Sequence, residues 1–427
     1  MPRLVTFICI VFGVLGCDSA GTGGNAPEGA QVAASSKSRL TLDQLGAAKV
    51  QELAAGNLKA AADLYVELGE SHSNIFISPH SISTALAMAY AGARTNTAAQ
   101  MKEVLHFELT EAELHPAFNA LDQELASRGE SAGGKDGKPF RLRVVNQAWG
   151  QNNFEFRTEY LDTLAVHYGS GLYLLDFVTQ QEQSAHIIND WVREQTEDKI
   201  QDLIEPSLIT PETRLVLTNA VYFNAAWAVP FEAADTASED FTTLAGHTIQ
   251  IPTMQQVAQL RYADTESWQA VELPYDGDEL AMVIVLPKEG ALGSIEGNLA
   301  SVLDEAVAQL SDHLVTLSMP KFQFEFQQSL KEPLINLGMT DAFDGADFSG
   351  INESVPLKIQ DVIHQSFVSV DEAGTEAAAA TAVILGLRSA PESAEIHLNR
   401  PFIFAIRDNA TGAIVFLGRL ADPSALN

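Results

Sequence analysis

Asp371-Glu-Ala-Gly-Thr-Glu-Ala-Ala-Ala-Ala-Thr381, continuing through Ala382-Val-Ile-Leu-Gly-Leu-Arg-Ser389, ends its alanine run 46 residues before the C-terminus. An ordinary surface loop is polar and punctuated by Pro or Asn, and an ordinary surface helix carries charge on its outer face. This stretch does neither. Read with period two, Thr375, Ala377, Ala379, Thr381, Val383, Leu385 and Leu387 share one uncharged face, and the acid Glu376 lies on the other. Such a strip suits the middle of a sheet, and its small residues would enter between existing strands without displacing large side chains. Gly374 supplies a hinge with free dihedrals. The plainer alternative is a helical turn or a linker.

The chain around it has 427 residues, is 46% hydrophobic and has mean hydropathy +0.03, enough for a substantial core. A net charge of −31 disfavours nucleic acid and anionic lipid as partners, since both rely on basic surface. At the N-terminus, Arg3 precedes the apolar run Leu4 to Gly16, which has signal-peptide length and is too short for a comfortable membrane span. Val14-Leu15-Gly16-Cys17 resembles a bacterial lipobox, in which the Cys is acylated and becomes the first mature residue; a plain signal peptide is the alternative. The expected organisation is a signal peptide over 1–16, a flexible Gly/Ala/Ser-rich tether over 17–38 and one folded domain over 39–427. Export to the bacterial cell envelope, periplasmic or at the cell surface, follows, with membrane contact only through lipid on Cys17. The only cysteines are Cys9 and Cys17, so the domain must be stabilised by packing without disulfides.

From Leu40 onward no internal repeat or linker interrupts the chain. The pattern predicts a long amphipathic helix over Leu40 to Leu68 and a capped helix from Ser78-Pro79 through Ala93, with further helices near 97–105, 111–127, 158–167 and 181–197. Strands are expected at Leu142 to Trp149, Leu215 to Phe223, Ile249 to Met254, Ala270 to Leu273, Met282 to Leu286, Leu314 to Phe326, Leu357 to Val370, Phe402 to Arg407 and Ala413 to Leu420. Helices dominate early and strands late, giving a mixed α+β fold with large, mostly antiparallel sheets. Gly129 to Lys138 reads as a solvated connector. Tyr275-Asp276-Gly277-Asp278-Glu279 reads as a hairpin turn in preference to a calcium loop, and no metal is assigned.

No Gly-x-Ser-x-Gly elbow, His-Glu-x-x-His, P-loop, dinucleotide fingerprint or cysteine nucleophile is present. The chain therefore reads as a non-enzyme without a cofactor. His364, between Ile363 and Gln365 in an apolar strand, must find a hydrogen-bond partner or cost roughly 1–3 kcal/mol.

Five ordered motifs carry a family resemblance: Ile77-Ser78-Pro79-x-Ser81-Ile82, Ile188-Asn189-x-Trp191-Val192, Thr218-Asn-Ala-Val-Tyr-Phe-Asn-Ala-Ala-Trp227 with Pro230-Phe231-Glu232, the 371–381 stretch, and Asn399-Arg-Pro-Phe-Ile-Phe404. Together, from about Leu40 to Pro423, they resemble the serpins, inhibitory in type. The resemblance implies three β-sheets with eight or nine helices and an exposed reactive loop, here about 372–397, and a monomer. It implies that Ser78, Ser81, Asn219 and His364 form a buried shutter, with His364 bonded to Asn219. Trp227, Lys321 and Glu372 would form the breach at the top of the opening sheet. The hinge would run through Glu372, Ala373, Gly374, Thr375, Glu376, Ala377, Ala378, Ala379, Ala380 and Thr381; family members that do not inhibit often carry a charged or bulky residue where Thr375 stands. Counted by the family's spacing, Arg388 and Ser389 flank the scissile bond, which implies a trypsin-like serine protease as partner, or an Arg-specific cysteine protease. The chain between Ser389 and Asn399 is a residue or two longer than is familiar, which leaves Leu387 and Leu385 as alternative cleavage positions. A non-inhibitory serpin, acting as a binding module or a plain protease substrate, is the alternative function.

Overall fold

The computed structural model describes residues 26–45, 48–69, 74–130, 132–134, 136–375 and 392–424. Its strands are β1 (Gln31–Ala33), β2 (Ile75–Ile77), β3 (Arg141–Gln151), β4 (Leu172–Leu175), β5 (Leu215–Ala226), β6 (Ala237–Thr242), β7 (Thr248–Asp264), β8 (Trp268–Pro274), β9 (Leu280–Pro287), β10 (Ser311–Pro320), β11 (Phe322–Ser329), β12 (Val362–Val370), β13 (Gly374–Thr375), β14 (Ser393–His397), β15 (Phe402–Asp408) and β16 (Ile414–Leu420). Its helices are α1 (Leu42–Leu45), α2 (Val50–Gly69), α3 (Pro79–Tyr90), α4 (Thr95–Val104), α5 (Glu111–Ala126), α6 (Thr158–Thr163), α7 (Gln181–Gln195), α8 (Leu292–Glu296), α9 (Leu299–Gln309) and α10 (Lys331–Asn336). Ten α-helices among the described residues exceed the eight or nine expected because short ones such as α1 and α8 are counted.

Among the described residues, two hydrogen-bonded sheets organise the fold. The first has seven strands, β1-β4-β3-β5-β12-β11 with β13 on β5; the second has nine, β14-β10-β7-β8-β9-β15-β16-β2 with β6 on β7. Three sheets were expected. The 17-residue β7 pairs with β6, β10 and β8, so two of them form one continuous ladder. β5 has a near-continuous apolar sequence, is buried from Leu215 to Ala225, and lies in the middle of its sheet, as a strand covered on both faces should. Its Leu217, Val221, Phe223 and Ala225 join the main core. Val216 and Ala220 point the other way, into a second cluster with Trp149 and with Ile188 and Trp191 of α7. The period of two thus builds two cores from one strand.

Several expected elements are divided or displaced. The helix over Leu40 to Leu68 is instead α1 and α2, with Ala48 and Lys49 outside helix. The strand over Leu314 to Phe326 is two strands in different sheets, because Pro320 offers no N–H to continue a ladder and the chain changes sheets at Lys321. The strand expected from Leu357 begins at Val362. The helix near 158–167 becomes α6 and a π-helical turn, Leu164–Tyr168, closed by Gly169 at φ +61. Tyr275 to Glu279 forms the expected hairpin between β8 and β9, with Gly277 at φ +88. The Gly129 to Lys138 connector is not free in solvent: Gly129 N–H donates to Glu279 (2.7 Å), Gly133 N–H to Asp276 (2.7 Å), and the Gly133 carbonyl accepts from Ala226 N–H (3.1 Å).

Residues 26–38, read from composition as part of a flexible tether, lie along the body and contain β1. Composition misled here because an edge ladder uses backbone groups and asks little of side chains.

Between the sheets, the Phe76 ring stacks on Phe416 (4.7 Å between centroids) and Phe404 (5.7 Å) and meets Phe324 edge-on (6.2 Å). Replacing Phe76 by Ala removes the ring from a close-packed site and should cost about 3–5 kcal/mol, measured as a lowered urea midpoint with an unchanged slope.

Candidate functional site

The features that set this sheet apart lie along the seam between β5 and β12. These strands are parallel and pair only from Leu217–Val221 to Val362–Ser366, although both continue upward, β5 to Ala226 and β12 to Val370. Above the paired stretch a different segment takes the position beside β5. The chain leaves β12 and turns tightly at Asp371–Gly374, which exchange backbone hydrogen bonds. Gly374 and Thr375 then pair antiparallel with Ala226 and Ala225. At Gly374, φ is +146 and a Cβ would stand 2.3 Å from the Ala225 carbonyl oxygen, so glycine is required.

A ring of contacts holds this entry point. Trp227 is buried, its Nε1–H donates to the Asp371 carbonyl (3.0 Å), and its backbone N–H donates to the Ala373 carbonyl (3.0 Å). Its ring stacks on Tyr275, with centroids 4.7 Å apart and planes 12° from parallel. The Tyr275 hydroxyl lies 3.0 Å from Thr375 Oγ1, and burial pushes the Tyr275 phenol above its ordinary pKa. Glu372 receives Lys321 Nζ (2.7 Å) on one carboxylate oxygen and Thr236 Oγ1 (2.7 Å) on the other. Burial alone would raise the Glu372 pKa; the bonds from Lys321 and Thr236 outweigh it and hold the carboxyl below its usual value.

Lower on the seam lies a buried polar network. His364 faces Asn219 across the β5–β12 ladder, and its Nδ1 hydrogen-bonds Asn219 Oδ1. Its Nε2 accepts from the Ser78 backbone N–H (3.3 Å). Nδ1–H donating while Nε2 accepts is the pattern of one neutral tautomer. Asn219 Nδ2 donates to Ser81 Oγ (2.5 Å) and Asn146 Oδ1 (2.8 Å), and Ser81 Oγ donates to Asn146 Oδ1 (2.8 Å). Ser78 Oγ caps α3 by accepting from Ser81 N–H and donates to the Val415 carbonyl (2.7 Å). The network thereby joins β5, β12, β3, β16 and α3. Complete burial drives the His364 pKa down to about 3.

The structure brings Ser78, Ser81, Asn219 and His364 together, and brings Trp227, Lys321 and Glu372 together with Ala373, Gly374 and Thr375. Glu376, Ala377, Ala378, Ala379, Ala380, Thr381, Leu385, Leu387, Arg388, Ser389 and Cys17 lie outside the described residues. Sequence reasoning missed Asn146, Thr236 and Tyr275. Asn146 gave a weaker signal than His364, because Arg143 and Gln147 make its strand polar as well. Tyr275 was read only for the turn that follows it. Thr236 gave no signal.

Residues 55–423 match the family model described as Serpin (serine protease inhibitor). The chain is 43% identical over 365 residues to a serpin-like protein of Thermococcus kodakarensis, covering 84% of this chain and 83% of that protein. It is 37% identical over 387 residues to the leukocyte elastase inhibitor of Bos taurus, covering 88% of this chain and all of the relative. The crystal structure of Serpin48, a highly specific serpin of the insect Tenebrio molitor, superposes with TM-score 0.76 at 32% identity, covering 90% of this chain and all of Serpin48.

Buried neutral histidines couple stability to pH. The folded-state pKa of His364 (about 3) and that of His115 (about 4, lowered by burial and then by nearby His167) lie below the ordinary value of 6.5. Between these limits the unfolded chain binds protons that the folded chain does not, so stability falls as pH drops below about 6.5. Within that window His364→Asn should flatten the urea-measured dependence of stability on pH by about 1.4 kcal/mol per unit.

Proposed function

The chain belongs to the serpin family, and from that premise we propose that it inhibits serine endopeptidases as a suicide substrate, cut at Arg388-Ser389. The observation that carries this reading is the pairing of Gly374 and Thr375 with β5 beside a seam that is closed below and parted above. A strand that continues this register places Ala377 opposite Phe223, Thr381 opposite Asn219 and Leu385 opposite Leu215, the first residue of β5. Thr375, Ala377, Ala379, Thr381, Val383 and Leu385 would then face the main core, and their small, uncharged side chains would meet its steric demand. Glu372 to Thr381 act as the hinge, Trp227, Lys321 and Glu372 as the breach, and Ser78, Ser81, Asn219 and His364 as the shutter that insertion must open.

An Asp at the base of a trypsin-like specificity pocket pairs with the Arg388 guanidinium. The protease serine attacks the Arg388 carbonyl carbon and its proton passes to the protease histidine. The bond to Ser389 breaks, the Ser389 amine takes that proton, and an acyl-enzyme remains. Residues from Gly374 to Leu387 span about 46 Å when extended, at roughly 3.3 Å per residue. Their insertion carries the attached protease to the far end of the sheet before water can deacylate it. An enzymatic role is not proposed. We also propose acylation of Cys17, which would hold the domain at the cell envelope.

Trypsin mixed with the protein should give a denaturant-resistant adduct on gels, with release of the 39-residue peptide Ser389 to Asn427 by intact mass. Release of a peptide starting at Gly386 or Arg388, with an adduct only to elastase- or chymotrypsin-like enzymes, would move the reactive bond to Leu385 or Leu387. Cleavage by every protease tried, with no adduct and no gain in thermal stability, would favour a non-inhibitory serpin. Thr375→Arg places a cation at a buried position, 2% exposed in the native protein, and should turn inhibitor into substrate. Undiminished adduct formation by that variant would sink the hinge assignment.

A further inference from the structure

We propose that residues 26–40 form a strap that resists widening of the seven-stranded sheet and so sets how readily the β5–β12 seam opens. This rests on the inhibitory reading only in that seam opening is what inhibition uses. At its start, Ala26 and Ala30 pack against the cluster beneath α7. Next, β1 forms the sheet's edge, pairing Gln31, Val32 and Ala33 with Leu174, Tyr173 and Leu172 of β4. Ser35 Oγ donates to Asp162 of α6 (2.5 Å), and Lys37 Nζ pairs with the same carboxylate (2.8 Å). Arg39 then reaches α5, donating from Nε to Asn119 Oδ1 and from Nη2 to Asp122 Oδ2, both 2.6 Å. Leu40 locks the end: its N–H donates to the Val166 carbonyl, and its own carbonyl accepts from Asn119 and Gln123.

The mechanical argument follows from which parts move. Admitting a strand between β5 and β12 widens the sheet by about 4.8 Å, one strand spacing. β5, β3 and β4 must then shift relative to β12, and β1 travels with β4. α5, however, packs on α2 in the helical layer. Five residues separate Ala33 on the moving edge from Arg39, which bonds α5, and Ser35 and Lys37 between them are held by Asp162. With anchors at Ala33, Ser35, Lys37 and Arg39, only one residue lies between successive attachments, so the strap has little slack with which to follow a shift of one strand spacing. Arg39 also stands close to the seam: with Asp122, Thr84, Tyr168 and Asn146 it lines a cavity of about 30 Å³, and Asn146 bonds Asn219 and Ser81 in the seam network.

The test uses the full chain with Arg39→Ala, which releases the α5 end, and with Ser35→Ala combined with Lys37→Ala, which releases the α6 attachment. Hydrogen exchange at Leu217–Val221 and Val362–Ser366 reports seam opening whether or not the protein inhibits any protease. Arg39→Ala should raise exchange there by about tenfold, the factor expected for loss of one charge-assisted hydrogen bond. Because a strap is a link in series, the triple variant should open the seam no faster than the more effective of the two, whereas independent local contacts would multiply their effects. Where trypsin adducts form, the released variants should also lose activity faster on warming without being cut. Acceleration confined to β1 and β4, or multiplicative effects at the seam, would overturn the proposal. Wild type that forms no adduct, with seam exchange still accelerated in the variants, would overturn the inhibitory reading and leave the strap standing.

Discussion

The structure depends on a parallel ladder that stops halfway. β5 and β12 are bonded over five residue pairs at the lower part of the seam and then part, with Gly374 and Thr375 beside Ala226 and Ala225 at the upper end of β5. Pairing along the full length would leave no place for a further strand, and parting along the full length would split the sheet. Backbone groups favour complete pairing, each hydrogen bond contributing a net 0.5–1.5 kcal/mol or so. The partial seam therefore has to be held by interactions outside the ladder.

Those interactions differ in kind at the two levels. The lower network is neutral and connected across β3, β5, β12, β16 and α3, and its Ser78, Ser81, Asn219 and His364 are buried, so breaking the bonds among them leaves polar groups without water. The upper ring is partly exposed. Its Lys321–Glu372 pair, with Lys321 37% exposed at the side chain, contributes about 0–1 kcal/mol. The firm grip at the top is backbone bonding to Trp227 and Phe231 together with the Trp227–Tyr275 stack. The end where a strand would enter is thus held mainly by apolar stacking and main-chain bonds that a longer inserted strand could keep, while the lower network must be rearranged for the strand to pass.

Much of this was legible in the sequence because it follows from local rules. Continuous burial of β5, the Ser78-Pro79 helix start, the Asp276-Gly277 hairpin and the hinge glycine at 374 each have a short-range signal. His364 announced its need for a partner, though only the family resemblance pointed to Asn219. What escaped was non-local. Whether the chain stays in one sheet after Pro320 depends on which strands already occupy the neighbouring positions. Tyr275 matters because Trp227 lies beneath its ring, and Thr236 because Glu372 arrives from 136 residues away. Residues 26–38 have the composition of a tether and the position of a strand, because their partners, β4, α5 and α6, are supplied by the rest of the fold.

The same reasoning bears on where resistance to opening is stored. The seam network opposes separation of β5 from β12 directly, over a displacement of an ångström or so, because hydrogen bonds weaken steeply once stretched. Contacts at the far edge act alongside it, because β5, β3, β4 and β1 are joined in one ladder and begin to move together as the seam parts, so they oppose the onset of widening as well as its completion. A sheet held at both places can yield slightly at the seam without committing to a full extra strand. Under the proposed function, that arrangement suits a segment of which only Gly374 and Thr375 are paired with β5 among the described residues.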